Sequence, residues 1–266
     1  MSIFEVNFLG TNGSCAYNCG DRVKYGTNTL CVVVRAGDEV IILDAGTGIC
    51  GLSDIESYNN LDKHLFMTHY HMDHIDGLLF YSDLFNPDAK INIYGRGDVE
   101  AALNSLISPP LCPVGPEVFN ANITYQSIDK NLRLILPGNV IIKTYELSHP
   151  GGALGCRVEY DGKVLCYCVD VELSNHKDDK KLAEFFQDVD LLILDASFAD
   201  GKVIPGWGHS SPSECAEWAA KAGVGQLALY HFNYKMTDED IANMEKGAKK
   251  IFPNTFAAAD GTSIKL

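Results

Sequence analysis

Residues 65–79, LFMTHYHMDHIDGLL, constrain the chain more than any other stretch. They place His69, His71, Asp73 and His74 within six residues, between two apolar segments. Leu65-Phe66-Met67 reads as the end of a buried strand, and Ile75 onward reads as a helix running to about Phe85. Side chains alternate in an extended segment, so His69 and His71 point the same way and can hold one metal ion. Asp73 and His74 follow where the chain bends and can turn to a second ion. Imidazole with carboxylate suits Zn²⁺ first, with Mn or Fe as further options. The bland alternative is a histidine-rich surface turn, and the apolar runs on both sides count against it.

The chain has 266 residues, enough for one sizeable domain, and residues 1–266 read as a single unit. The formal net charge is −14 and the pI is near 4.9. That disfavours a broad footprint on nucleic acid, which takes many Lys and Arg to neutralise phosphates. A small phosphate ester remains compatible, because metal ions supply their own local positive charge. The nine cysteines are 15, 19, 31, 50, 112, 156, 166, 168 and 215, and several fall in apolar strand-like runs. They read as buried free thiols in a reducing compartment. Cys15 with Cys19, or Cys166 with Cys168, gives only a weak ligand or disulfide signal. The opening MSIFEVNFLG has no basic segment and no long apolar core, so the expectation is a cytoplasmic protein without a membrane span.

Along the chain, apolar strand-like runs repeatedly end in a potential ligand: Asp44, His69, His149, Asp170, Asp195 and His231. Gathering side chains from several strand ends is how α/β scaffolds build sites. Asp44 suits a partner that orients a ligand histidine, and Asp195 either does the same or serves the fold. The loop Gly10-Thr11-Asn12-Gly13-Ser14 leaves backbone N–H groups free to face a ligand. Residues 108–120, SPPLCPVGPEVFN, read as an irregular loop that walls a pocket. Helices are expected over 98–107 and 178–188, and Ser211 with Glu214 forms a capping box opening another through Ala222. Thr237 caps a last helix. His64 and His176 lack such a context and read as surface residues.

Thr68 to His74 has the form THxHxDH, which resembles the metallo-β-lactamase-fold hydrolases. The resemblance covers essentially the whole chain, through His149 in LSHPGGALGCRVE, Asp170, and His231 in LALYHF. It implies an α/β fold, a four-layer αββα sandwich. It also implies two divalent metal ions: His69, His71 and His149 bind the first, Asp73, His74 and His231 the second, and Asp170 bridges them. Two such ions, two aspartates and a bridging hydroxide leave a site of about +1, which favours an anionic substrate.

His209 stands in Gly206-Trp207-Gly208-His209-Ser210-Ser211, which resembles the GHS/T motif of the phosphodiesterase branch of that family. RNase Z and small cyclic-phosphodiesterase relatives belong to this branch. The alternative for His209 is a loop residue packed by Trp207. No insertion resembles the long tRNA-gripping arm of RNase Z. The expectation is therefore a phosphodiesterase for a small anionic phosphodiester, such as a cyclic nucleotide, with large RNA disfavoured. Bridging hydroxide attacks phosphorus, Asp73 handles its proton, and His209 assists the leaving oxygen. Ser210 and the helix start beyond it are expected to hold a phosphate oxygen. The alternatives are an RNase Z-like endoribonuclease, a lactone or thioester hydrolase, a di-iron redox protein and a non-catalytic metal-stabilised module. Against the di-iron reading, His71 stands where flavodiiron members carry Glu. Relatives are commonly homodimers.

Overall fold

The computed structural model describes residues 3–18 and 20–266, so Cys19 lies outside the described residues. In chain order the strands are β1 (Phe4–Gly10), β2 (Asn12–Gly13), β3 (Cys31–Ala36), β4 (Glu39–Leu43), β5 (Lys63–Phe66), β6 (Lys90–Gly95), β7 (Asn122–Ser127), β8 (Arg133–Leu136), β9 (Val140–Leu147), β10 (Ala153–Tyr160), β11 (Lys163–Cys168), β12 (Leu191–Asp195), β13 (Gln226–Tyr230), β14 (Phe232–Asn233), β15 (Thr255–Ala257) and β16 (Thr262–Lys265). The α-helices are α1 (Val99–Leu106), α2 (Lys180–Phe185), α3 (Pro212–Ala222) and α4 (Asp238–Ala248).

Two seven-stranded sheets form, ordered β16-β1-β3-β4-β5-β6-β7 and β15-β13-β12-β11-β10-β9-β8. The alternation of β1, with Phe4, Val6 and Phe8 buried, turns one face inward. These side chains meet Val140, Ile142, Leu165, Ile193 and others in one core between the sheets. The apolar runs of β4 and β12 are buried on both faces, because each sheet is also covered outside. α3 and α4 cover the second sheet, around Trp218, Ile241 and Leu192. α1 and several short 3₁₀ turns cover the first, around Leu52, Leu78 and Leu103. This is the four-layer αββα sandwich. The strands β4 to β7, and β11 to β13 with β15, run parallel within their sheets.

Residues 75–85 are not one helix. They form turns at Leu78–Phe80 and Ser82–Phe85, after another at Met72–His74. Gly77 N donates to Ala45 O at 3.0 Å, and Ala45 N donates to His74 O at 2.7 Å. The segment thus lies against the end of β4, and its hydrogen bonds go there rather than up a helix. The 178–188 helix is shorter than its pattern, with Asp179 capping α2. His64 is not a surface residue: it sits in β5, 5% exposed, with Nε2 2.9 Å from Glu39 Oε2 on the neighbouring strand. His176 is also mostly buried, bound to Asp179 at 2.9 Å and accepting Ser148 N at 3.1 Å. The 108–120 loop packs on the outer layer, where Asn120 N reaches Leu84 O and Phe119 meets Phe85 edge-on at 5.4 Å. It does not line the cavity beside His69.

The described cysteines are all free, and Cys31, Cys156, Cys166, Cys168 and Cys215 are buried. Burial pushes their thiols up. No helix among the described residues is long and apolar enough to cross a membrane.

Candidate metal centre

The centre lies where strand ends of both sheets meet. His69 and His71 lie on the chain leaving β5, and Asp73 and His74 occupy the turn that follows. His149 follows β9, Asp170 follows β11 and His231 directly follows β13. Asp44, Asp170 and His231 have φ of 63°, 56° and 59°. This left-handed backbone is uncommon outside glycine and enriched in Asp, Asn and His. It bends the chain sharply as each strand ends.

Ligand atoms of His69, His71 and His149 lie within 4.8 Å of one another. The same holds for Asp73, His74 and His231, and for His69, His74 and Asp170. A further group, Asp170, Asp195, His209 and His231, meets the same criterion. His74 Nε2 is 2.8 Å from Asp170 Oδ2, and His231 Nε2 is 3.2 Å from the same oxygen. Yet Nε2 of His69, His74 and His231 and Oδ2 of Asp170 are buried without a hydrogen bond. Orphaned buried polar atoms are costly unless something satisfies them. Converging imidazole nitrogens and carboxylate oxygens fit divalent cations.

In His69, His74, His149 and His231 the Nδ1 edge is tied to protein, which leaves Nε2 facing inward, whereas His71 turns Nδ1 toward His149 Nε2 at 3.1 Å. His74 Nδ1 donates to Asp44 Oδ2 at 2.8 Å, and Asp44 also accepts from Thr68 N at 2.8 Å and Tyr167 OH at 3.0 Å. His149 Nδ1 donates to Gly208 O at 3.0 Å. His231 Nδ1 lies 2.5 Å from Ser197 Oγ, and His69 Nδ1 lies 3.1 Å from Thr68 Oγ1. Asp73 Oδ2 accepts Ser14 N at 2.7 Å. The glycine-rich loop therefore contacts the candidate ligand residues themselves. Gly13 packs so closely that a Cβ would lie 2.5 Å from His231 Cε1.

Charge follows this geometry. Burial disfavours the Asp170 carboxylate, but His231 and His74 outweigh it and hold the group well below the usual range. Burial pushes His231 down, while Asp170 and Asp195 raise it to about 9. His74 is likewise raised against its burial by Asp44 and Asp170. His69 is pushed down by burial and by His74.

His209 stands beside this group. Its Nδ1 is 2.6 Å from Asp195 Oδ2, and its ring stacks on His231 at 5.0 Å and 27°. Asp195 is fully buried and also accepts Ser197 N at 2.8 Å, so it orients His209. Burial lowers the His209 pKa, but the Asp195 charge outweighs this and holds it above the ordinary value. Trp207 does not pack His209; it is 59% exposed and lies edge-on to Phe198. Ser210 cannot reach a phosphate. It is fully buried, donating to Val171 O at 2.6 Å and accepting Leu173 N at 3.0 Å.

Sequence reading passed over Ser197, Tyr167, Thr68 and Glu172, the residues that hold ligands or their loops. Thr68 lay within the motif, whereas the other three carry no local signal. A cavity of about 500 Å³ opens beside the centre, lined by His69, Tyr70, His71, Arg96, Gly151 and Gly152 among others.

The description "Beta-lactamase superfamily domain" matches residues 40–232. A curated relative, Ribonuclease Z of Sulfurisphaera tokodaii, is 37% identical over 301 positions, covering 96% of each chain. Ribonuclease Z of Bradyrhizobium sp. is 25% identical over 320 positions, covering 97% of this chain and 98% of that one. Among solved structures, the metallo-beta-lactamase fold protein YhfI from Bacillus subtilis superposes with a TM-score of 0.76 at 19% identity, covering all of both chains. A diphosphatase from the PhnP family gives 0.74 at 17% identity, covering 100% of this chain and 98% of that one. The chain belongs to the beta-lactamase superfamily and has the metallo-β-lactamase fold.

Proposed function

We propose that this chain is a two-metal phosphodiester hydrolase, and the observation that carries the reading is the His209–Asp195 pair set against His231 and Asp170. In this reading His69, His71 and His149 would hold one divalent ion and Asp73, His74 and His231 the other, with Asp170 serving both. Zinc suits this donor set best. Such ions polarise phosphate oxygens and lower the pKa of water.

The chain's own residues do the rest. Asp195 holds His209 with Nδ1–H toward its carboxylate, so the far nitrogen is free to give a proton to a departing alkoxide. A thioester, which expels a weakly basic thiolate, has less need of such an acid. Asp73, fixed by Ser14 N, is placed to take a proton from the attacking water. The charge of two ions against few carboxylates suits an anionic substrate.

Two readings of the substrate follow. The relatives' name, Ribonuclease Z, supports cleavage of an RNA phosphodiester, and no comparison supports a cyclic nucleotide as directly. Charge and length support a small phosphodiester. The chain carries −14, and alignments of 320 and 301 positions against 266 residues leave the relatives with segments that have no counterpart here.

The test is turnover by the metal-loaded protein on bis(p-nitrophenyl) phosphate, cyclic mono- and dinucleotides, precursor tRNA, a lactone and a thioester. Lactone turnover without phosphodiester cleavage refutes the proposal, and the nucleotide and tRNA arms choose between the two substrates. His209→Ala should lower phosphodiester turnover about 10²–10⁴-fold with metal content unchanged.

A further inference from the structure

An exposed indole stands on the loop that leads into His209, with the Phe198 ring between them, 6.4 Å from Trp207 and 5.9 Å from His209. Trp207 is 59% exposed, while the other tryptophan, Trp218, is 6% exposed in the core under α3. A large exposed aromatic next to a site is informative in a way that a scattered exposed leucine is not.

The loop that presents Trp207 is built with care. Trp207 N donates to Ile204 O at 3.2 Å, closing a turn with Pro205 first and Gly206 second at φ 81°. That is the residue order of a type II turn. Glu172, 4% exposed, accepts Gly206 N at 2.8 Å and Gly208 N at 3.2 Å. A buried carboxylate is thus committed to the two amides flanking Trp207, which fixes the backbone that carries the exposed indole. The same loop passes Gly208 O to His149 Nδ1 at 3.0 Å and continues directly into His209. Orienting His149 needs the carbonyl of Gly208. It does not need an indole in water.

We infer that Trp207 is a stacking platform for the nucleobase that flanks the scissile phosphate, which makes it a specificity residue for nucleotide over plain alkyl phosphodiesters. Stacking suits this place because every base has a π-face, and an aromatic ring on a rigid loop loses little freedom on contact. The inference rests on the phosphodiesterase reading and adds the chemical class of the group beside the reacting phosphate.

The test uses the metal-loaded protein with two chromogenic esters, thymidine 5′-monophosphate p-nitrophenyl ester and methyl p-nitrophenyl phosphate. Trp207→Ala should lower the ratio of kcat/KM for the nucleoside ester to that for the methyl ester about tenfold, mainly through KM, and Trp207→Phe should restore most of it. An unchanged ratio overturns the inference. A second readout needs no turnover. Adenosine 5′-monophosphate should quench the exposed-indole fluorescence saturably, ribose 5-phosphate should not, and the signal should vanish in Trp207→Phe. Absence of quenching at concentrations where the nucleotide inhibits competitively also overturns it. If the unmodified protein turns over neither ester, the phosphodiesterase reading fails, and fluorescence alone decides the role of Trp207.

Discussion

Asp170 gathers four imidazoles: His74 at 2.8 Å, His231 at 3.2 Å, His149 at 3.5 Å and His209 at 3.7 Å. Without an ion, this carboxylate and its neighbours keep His74 and His231 protonated above the ordinary range, His231 to about 9. A histidine raised in the folded state adds stability that is full below the unfolded pKa of about 6.5 and is lost as pH rises through the folded value. The metal-free protein should therefore lose stability between about pH 6.5 and 9 in chemical denaturation. Ion uptake must displace those protons, so affinity should rise across the same window, and calorimetry in buffers of different ionisation enthalpy should show proton release. A flat affinity profile would remove His74 and His231 from the ligand set. The clustering of candidate donors was legible because THxHxDH packs four of them into one turn. The pairing of Asp195 with His209 was not, since it depends on how the intervening loop closes. Ser210 misled for a similar reason: its hydroxyl is claimed by Val171 and Leu173, residues far from it in sequence.

At the scale of elements, local chemistry was legible where it is self-contained. Ser211 and Glu214 form the expected capping box on α3, with Pro212 opening the helix, and Thr237 with Asp240 does the same on α4. Ser211→Ala should cost about 1 kcal/mol in denaturant unfolding. The stretch after His74 shows the opposite case. Its apolar spacing reads as a helix, but close docking on Ala45 and Gly46 overrides that preference. A Cβ at Gly77 would lie 2.1 Å from Gly46 O, which is backbone with nowhere to go. Gly77→Ala should therefore cost about 2 kcal/mol or more, well above an ordinary surface change. It should also weaken ion binding, because Ala45 N holds His74 O. An unchanged melting temperature would show that the turn is looser than its contacts imply. His64 was misread because its partner, Glu39, is brought alongside only when β4 and β5 pair.

For the whole molecule, the alternating and fully apolar runs made the strands legible, the family resemblance implied how they layer, and the strand-end Asp and His residues showed where the sheets converge. The seat of the 108–120 loop was not legible, because Pro and Gly announce irregularity without saying which surface it packs on. If the centre binds ions in the native state alone, they stabilise the fold by mass action, about 4 kcal/mol at a thousandfold excess over Kd. Treatment with a chelator should lower the melting temperature, and added Zn²⁺ should restore it. Equal melting curves with and without ions would leave the centre outside the folding energetics.

The proposed donors are dispersed along the chain, from His69 to His231, and each ion needs at least one donor from the second sheet. A polypeptide still emerging from the ribosome holds the first four long before the last. On that assignment, capture of a second ion would wait until residue 231 has been released and the sheets have closed on each other. Loading would then be a late event of maturation, and a loaded molecule one that has finished folding.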